Sequence, residues 1–278
     1  MHLADLVSDY SAWLRDQGRA DNTVGAYARD VAAYLRWRET TPGADLASYV
    51  TVLQDTRASS SAARAVVALR IFHRWHDEDE LSRPELAGLP TGSSRTEPDI
   101  DEATMALLLR ATDGDSVGRR RDAIAIGLLY LAGLKVSEAI SLDVADVLAD
   151  GAVLAVDREG PHERVLPAVP ALHETMRRWL ADGGRPRLHP TTNALLVNRR
   201  GQRLTRQGLW LLMGGVARRA GVAERLAPND LRRACANHLA GRGLAPGPIG
   251  AFLGQTRGAP PSVSLLNACG WGSCNLVV

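Results

Sequence analysis

The stretch LAPNDLRRACANHLAGRG, residues 226–243, reads as a helix with an arginine, Arg232, near its start. Asn229 stands three residues earlier and, with Asp230 assisting, is placed to cap the helix. Basic charge is concentrated around this helix. From Arg199 to Arg242 there are ten arginines, among them Arg199, Arg200, Arg203, Arg206, Arg218, Arg219 and Arg233, against two acids, Glu224 and Asp230, a local charge of +8. A polyanionic partner accounts for such a stretch, and so does a solvated face in an arginine-rich protein. Lysine plays almost no part, since Lys135 is the only one in the chain.

The whole chain of 278 residues carries a formal charge of only +2, so bulk charge does not argue for nucleic acid and the local distribution says more. A hydrophobic content of 45% supports a sizeable core, in one large domain or two small ones, and excludes global disorder. No apolar run reaches the length of a membrane span, and the start MHLADLVSDY carries acids rather than a basic leader. A soluble, cytoplasmic protein with no membrane partner is expected. Cys235, Cys269 and Cys274 form neither a zinc-ligand cluster nor a disulfide framework, so no metal and no cofactor is expected. There is no phosphate loop of the G-x-x-x-x-G-K-[ST] kind.

Outward from the helix at 226–243, the chain organises into two parts. Leu3, Leu6, Val7, Tyr10, Trp13 and Leu14 repeat at helical spacing. GRADNT breaks the pattern, and Asn22 or Thr23 is placed to cap a second helix carrying Val24, Tyr27, Val31, Tyr34 and Leu35. A short helix follows over Leu46–Leu53, and Ser59–Ser61 can cap another with Val66, Leu69, Ile71, Phe72 and Trp75 inward. Residues 1–88 are therefore expected to be a helical domain. LPTGSSRTEPD, residues 89–99, reads as a linker. Residues 100–257 restart with acids at a helix N-terminus, then give a buried helix broken at Gly133. AVLAV and ERVLPAV around the turn DREGPH predict a β-hairpin near 152–169; ALLVN offers a further strand; the remainder is helical to about Leu253. Residues 258–278 are an apolar C-terminal tail with no charged side chain.

Four stretches together carry a resemblance to the tyrosine recombinase (phage integrase, Xer-like) family, over most of residues 3–266. GRADNTVGAYARDVAAYLRW resembles its N-terminal core-binding segment, and LLYLAGLKVSEAISLDVADV the box that holds the first catalytic arginine. DREGPHERVLPAV is similar to the hairpin that holds the catalytic lysine. LAPNDLRRACANHLAGRGLAPGPIGAFLGQ is similar to the second box, which starts H-x-L-R and ends L-G-H in the family. The resemblance implies a mainly α fold: a helical core-binding (SAM-like) domain, then a catalytic-type α domain with a small β-hairpin or sheet. It also implies double-stranded DNA as partner, with a homo-oligomer or a recombinase partner on that DNA.

The family's chemistry uses a tyrosine to attack a phosphodiester, two arginines to clamp the phosphate oxygens, a lysine as acid to the leaving oxygen, and two histidines. By resemblance, the first arginine position holds Lys135, which keeps the charge without the guanidinium fork. Glu159 falls at the lysine position, where a carboxylate repels phosphate; a one-residue shift brings in Arg158 instead, and His162 reads as a turn residue. Asn229 stands at the first histidine position and cannot carry a proton. Arg232 is the clear match, a phosphate clamp or else a structural arginine. Gln255 replaces the second histidine, and Ser264 stands where the tyrosine should be, with no candidate base near it in sequence. No alignment is needed for one point: Tyr10, Tyr27, Tyr34, Tyr49 and Tyr130 are all the tyrosines, so none follows residue 130.

Three functions stay open at this stage. One is a DNA-binding member of the recombinase fold that is inactive or severely impaired in catalysis, a regulator, accessory subunit or relic of a mobile element. Another is a divergent but active site-specific recombinase using Ser264 or a partner's nucleophile. The third is the fold reused for protein interaction without DNA. The arginine-rich stretch with Arg232 favours the first over the third, and the missing late tyrosine favours it over the second. The tail is either a segment that packs on a neighbouring subunit or the product of a reading-frame change.

Overall fold

The helical spacing at the N-terminus becomes α1 (Leu3–Asp16), followed by α2 (Asp21–Thr40), α3 (Leu46–Thr56) and α4 (Ser59–His76). The computed structural model describes residues 3–57, 59–76, 100–158, 160, 162–222, 226–256 and 258–272. The linker expected at 89–99 and Glu159 lie outside these. The chain divides into two units, Met1–Glu97 and Pro98–Val278.

In the first unit the apolar stripes of the four helices meet in one core built on Tyr10, Leu14, Val31, Tyr34, Leu53, Leu69 and Phe72. The Tyr10 hydroxyl donates to the Ala68 carbonyl (3.1 Å), joining α1 to α4. Asp30 is buried in α2 and is compensated by Arg57 (2.8 Å) and Arg64 (2.9 Å). One expected cap is corrected. Neither Asn22 nor Thr23 caps α2, because the chain re-enters helical geometry at once after the left-handed Gly18 and Ala20 takes the cap position. Ser59–Ser61 open α4, and the residue before them lies outside the described residues.

The second unit begins with α5 (Glu102–Arg110), where the Asp101 carboxylate accepts from the Thr104 N–H (2.7 Å). α6 (Val117–Tyr130) is buried without interruption from Ile124 to Tyr130, so it is the central helix of this unit. Gly133, at φ +59°, turns the chain into α7 (Val136–Ser141). The expected hairpin is present as β2 (Val153–Val156) and β3 (Arg164–Pro167), antiparallel with Leu154 opposite Leu166 and Val156 opposite Arg164. A third strand, β1 (Val147–Leu148), pairs with β2. Residues 194–198 do not form the further strand: Ala194 bridges Asp143 and Val197 bridges Arg203, with no ladder between them. Their apolar run reflects burial instead, since Ala194, Leu195, Leu196 and Val197 are all fully buried.

The remaining helices are α8 (Pro170–Leu180), α9 (Arg206–Arg219), α10 (Pro228–Gly241), α11 (Pro246–Phe252) and α12 (Val263–Ala268). α12 belongs to the apolar C-terminal stretch, whose Leu266 and Trp271 are fully buried in the core of this unit. The Trp271 indole donates to the Leu131 carbonyl (3.1 Å), its ring lies 5.0 Å from that of Tyr130, and the Arg242 guanidinium sits over it. Residues 258–272 thus pack on their own chain. Among the described residues no helix is long and apolar enough to cross a membrane, and no group of three ligating side chains could hold a metal ion.

Candidate nucleic-acid interface

Three cations converge on one buried carboxylate, Glu138. It lies one turn into α7, and its side chain accepts the Lys135 backbone N–H (2.8 Å) that the helix start leaves unbonded. Arg164, at the first position of β3, gives it a two-pronged pair through Nη1 (3.1 Å) and Nη2 (3.0 Å). Lys135 Nζ stands 3.6 Å from Oε1 and Arg232 Nη1 3.8 Å from Oε2. Burial would raise the Glu138 pKa, but the hydrogen bonds and charges of Arg164 and Lys135 outweigh it and hold the carboxyl below its ordinary value.

Arg232 is positioned by the two breaks flanking the site. Its Nη1 donates to the Gly133 carbonyl, and its Nη2 to the Leu253 carbonyl (2.6 Å). Burial lowers its pKa; Glu138 opposes that shift and Arg164 adds to it. The turn at Gly133 favours glycine, because φ is +59° and a Cβ there would stand 2.5 Å from Leu253 Cδ2 and 3.1 Å from the Cys235 sulfur, which would have to shift. Gly254 is similar: φ is +63°, and a Cβ would stand 2.6 Å from Arg164 Nη1. Arg164 also donates through Nε to the Phe252 carbonyl (3.0 Å), so the two guanidiniums tie the end of α11 to α7 and β3.

Sequence reasoning named Lys135 and Arg232 and missed Arg164 and Glu138. A charged pair separated by 26 residues carries no local spacing signal. Beside this cluster lies an open cleft of about 720 Å³, lined by His162, Glu163, Arg164, Gln255 and Thr256. Gln255 is exposed at its edge, so it and Arg164 do come together. Asn229 is exposed within the first turn of α10. It is not the cap: Ala227 holds that position, and Asp230 accepts the Ala227 N–H (2.7 Å), because Pro228 starts the helix one residue earlier. Arg158 turns away toward Asp146 (3.0 Å) and the Ala145 carbonyl (2.8 Å).

Ser264 lies in the first turn of α12, exposed, and no described acid or base hydrogen-bonds its hydroxyl. Tyr130, the last tyrosine in sequence, is fully buried with its hydroxyl 2.8 Å from His238 Nδ1. Burial pushes its pKa upward, away from phenolate formation.

The arginine-rich stretch separates into two groups. Arg203 is held by the Ile140 and Ser141 carbonyls (2.9 Å each) and by Asp143. Arg219 pairs with Asp122 (2.6 Å), Arg233 with Asp230 (3.2 Å) and Arg242 with Glu102 (2.9 Å). Arg199, Arg200 and Arg206 are exposed and have no acidic partner among the described residues, and Arg218 reaches only the Gly214 carbonyl of its own helix (3.3 Å). Arg199 and Arg200 occupy a tight turn. In it the Asn198 side-chain oxygen accepts the Arg200 N–H (2.8 Å) and the Gln202 N–H (3.2 Å). Two arginines are thus presented on a pre-formed loop.

This fold and constellation define the class: the chain belongs to the phage integrase family, whose family model matches residues 99–258. Among curated relatives, it is 32% identical to the tyrosine recombinase XerD of Ralstonia nicotianae over 83% of this chain and 79% of the relative. It is also 32% identical to XerD of Proteus mirabilis, over 88% and 82% respectively. Among solved structures, its fold is similar to the Tn1549 transposon integrase in complex with transposon right end DNA (TM-score 0.71, 15% identity, 96% of this chain and 98% of that one). It is likewise similar to the XerH site-specific recombinase bound to palindromic difH substrate (TM-score 0.68, 16% identity, 88% and 74%).

Proposed function

We propose that this chain is a DNA-binding member of the family that binds duplex DNA without cleaving it. The observation that carries the reading is the fate of the tyrosines: none follows residue 130, and Tyr130 is sealed in the core against His238. The position that matches the family's nucleophile holds Ser264, which has no phenol to form a phosphotyrosine link. Lys135, Glu159, Asn229, Gln255 and Ser264 in place of the family's reacting residues support the same conclusion. General acid and base groups each contribute about 10²–10⁴-fold, and such groups act as a unit.

The DNA half of the reading rests on the cations that remain. Lys135 keeps a part-exposed cation at the cluster, and Arg199, Arg200, Arg206 and Arg218 offer charge that no acid among the described residues neutralises. Relatives are seen as a dimer on a core site and as a tetramer on a Holliday junction. An assembly of this chain with itself or with an active recombinase on DNA belongs to the same proposal.

The test is a gel-shift assay on duplex DNA flanking the gene, paired with covalent trapping on a nicked substrate. A salt-sensitive shift with no covalent adduct is expected, and Ser264→Tyr alone should not create one. An adduct formed by the unmodified protein and abolished by Ser264→Ala overturns the proposal and makes Ser264 a nucleophile. Absence of any shift at low salt overturns the DNA half.

A further inference from the structure

A second concavity lies away from the Glu138 cluster, between the N-terminal end of α6, the turn at 198–202 and one face of α9. Its volume is about 810 Å³, within the range of small-ligand sites, roughly 300–1,000 Å³. Six arginines line it: Arg119, Arg121, Arg199, Arg200, Arg218 and Arg219. Asp122 is the one acid among the described lining residues, and it is already taken by Arg121 (3.1 Å) and Arg219 (2.6 Å). Arg119 donates to the Ala111 carbonyl, whereas Arg199, Arg200 and Arg218 have no acidic partner among the described residues, so the cleft favours an anionic occupant.

The floor has a different chemistry. Leu204, Leu211 and Leu212 line it, and Leu211 is 68% exposed, the most exposed large hydrophobic residue on the described surface. Gly208 and Gly215 lie on the same helical face, one turn before and after Leu211, and keep the wall low. Asn198 and Gln202 bring amide groups to the rim. A duplex backbone lying across a surface presents phosphates to protruding cations and has no use for an exposed leucine set among them. A single nucleotide matches both parts, with phosphate oxygens on the guanidiniums, base face on the leucines and base edge toward the amides.

We infer that this cleft is a nucleotide site, separate from the Glu138 cluster, which holds an unpaired nucleotide by its phosphates on the arginine rim and its base on the Leu211 floor. The nucleotide can come from a free nucleoside polyphosphate or from an unpaired position in a DNA strand. The inference goes beyond the duplex-binding proposal and is tested apart from it.

Isothermal titration calorimetry at low ionic strength, with the full chain and with ATP, oligo(dT) and inorganic tripolyphosphate as separate probes, reads the site directly. Saturable binding of ATP or of oligo(dT) is expected, tighter than tripolyphosphate, which has no base. ATP alone identifies the free nucleotide as the source, and oligo(dT) alone identifies the strand. Leu211→Ser, at an exposed position that folding does not need, should weaken the nucleotide about tenfold and leave duplex affinity in the gel shift unchanged. Arg206→Ala should do the reverse. Failure of both ATP and oligo(dT) to bind overturns the inference even where duplex binding stands. Tripolyphosphate binding as tight as ATP, with Leu211→Ser silent, also overturns it, since the cleft is then an anion sink. Loss of duplex binding with ATP binding intact overturns the duplex proposal alone.

Discussion

Glu138 is the residue on which the second unit's ionic balance turns. Its carboxylate is buried together with Arg164, whose side chain is 5% exposed, and it faces Lys135 and Arg232 as well. Removing one partner of a buried pair strands the other, at a cost of about 3–5 kcal/mol. Glu138→Gln should lower the unfolding free energy by that amount in urea titration, whereas pairing it with Arg164→Met should recover much of the deficit. The pH dependence follows from the direction of the shift. Because Glu138 titrates lower in the folded chain than in the unfolded one, its contribution is complete above the ordinary carboxylate pKa. It is lost as pH falls through the folded value, so Glu138→Gln should flatten the acid limb of the stability profile. On the proposed function, Arg232→Ala should weaken DNA binding modestly, as the loss of one cation among several. It also frees the Gly133 and Leu253 carbonyls, so affinity must be compared at temperatures where both proteins are folded.

At the level of elements, two short features hold the site together. The Gly133 turn brings α6 into α7 with no room for a side chain, so Gly133→Ala should destabilise the chain by about 1–3 kcal/mol through its left-handed backbone and the clash with Leu253. The other is the Trp271 anchor. Its fully buried ring packs on Tyr130 of α6 and under Arg242 at the end of α10. Trp271→Ala should cost about 3–5 kcal/mol in thermal or urea unfolding. If unfolding is unaffected by that change, the segment from α12 onward is not part of this unit's core in solution. The helices themselves were legible from apolar spacing, and the hairpin from alternation around a turn. The third strand was not, because β1 is two residues long and pairs only through β2. The apolar run at 194–198 misled for a related reason: full burial and strand pairing leave the same mark on a short sequence.

For the whole molecule, the expected behaviour on DNA is electrostatic. Arg199, Arg200 and Arg206 have no acidic partner among the described residues, so they are the cations best able to displace counterions from a duplex. Replacing all three by alanine should reduce the slope of log affinity against log salt concentration by about 0.9 for each phosphate that is no longer neutralised. Replacing Arg203 should act mainly through stability, since it holds the C-terminal carbonyls of α7. A fluorescence-anisotropy titration over a salt series separates the two outcomes. An unchanged slope in the triple variant places the duplex on another face.

What the sequence by itself determined is what local chemistry can encode. Helical spacing marked the helices, the boxes around Lys135 and Arg232 marked the family, and a count of tyrosines established that none follows Tyr130. Those features need only neighbours along the chain. Tertiary structure alone decided which charges meet. Glu138 joins Arg164 from a strand and Arg232 from a distant helix; Asp122 takes Arg219 out of the arginine-rich stretch; Arg199, Arg200 and Leu211 come to share one cleft. The physical reason is that a guanidinium carries the same charge wherever it stands. Whether it staples the core or stays available for phosphate depends on the carboxylates and carbonyls that folding brings within hydrogen-bonding distance.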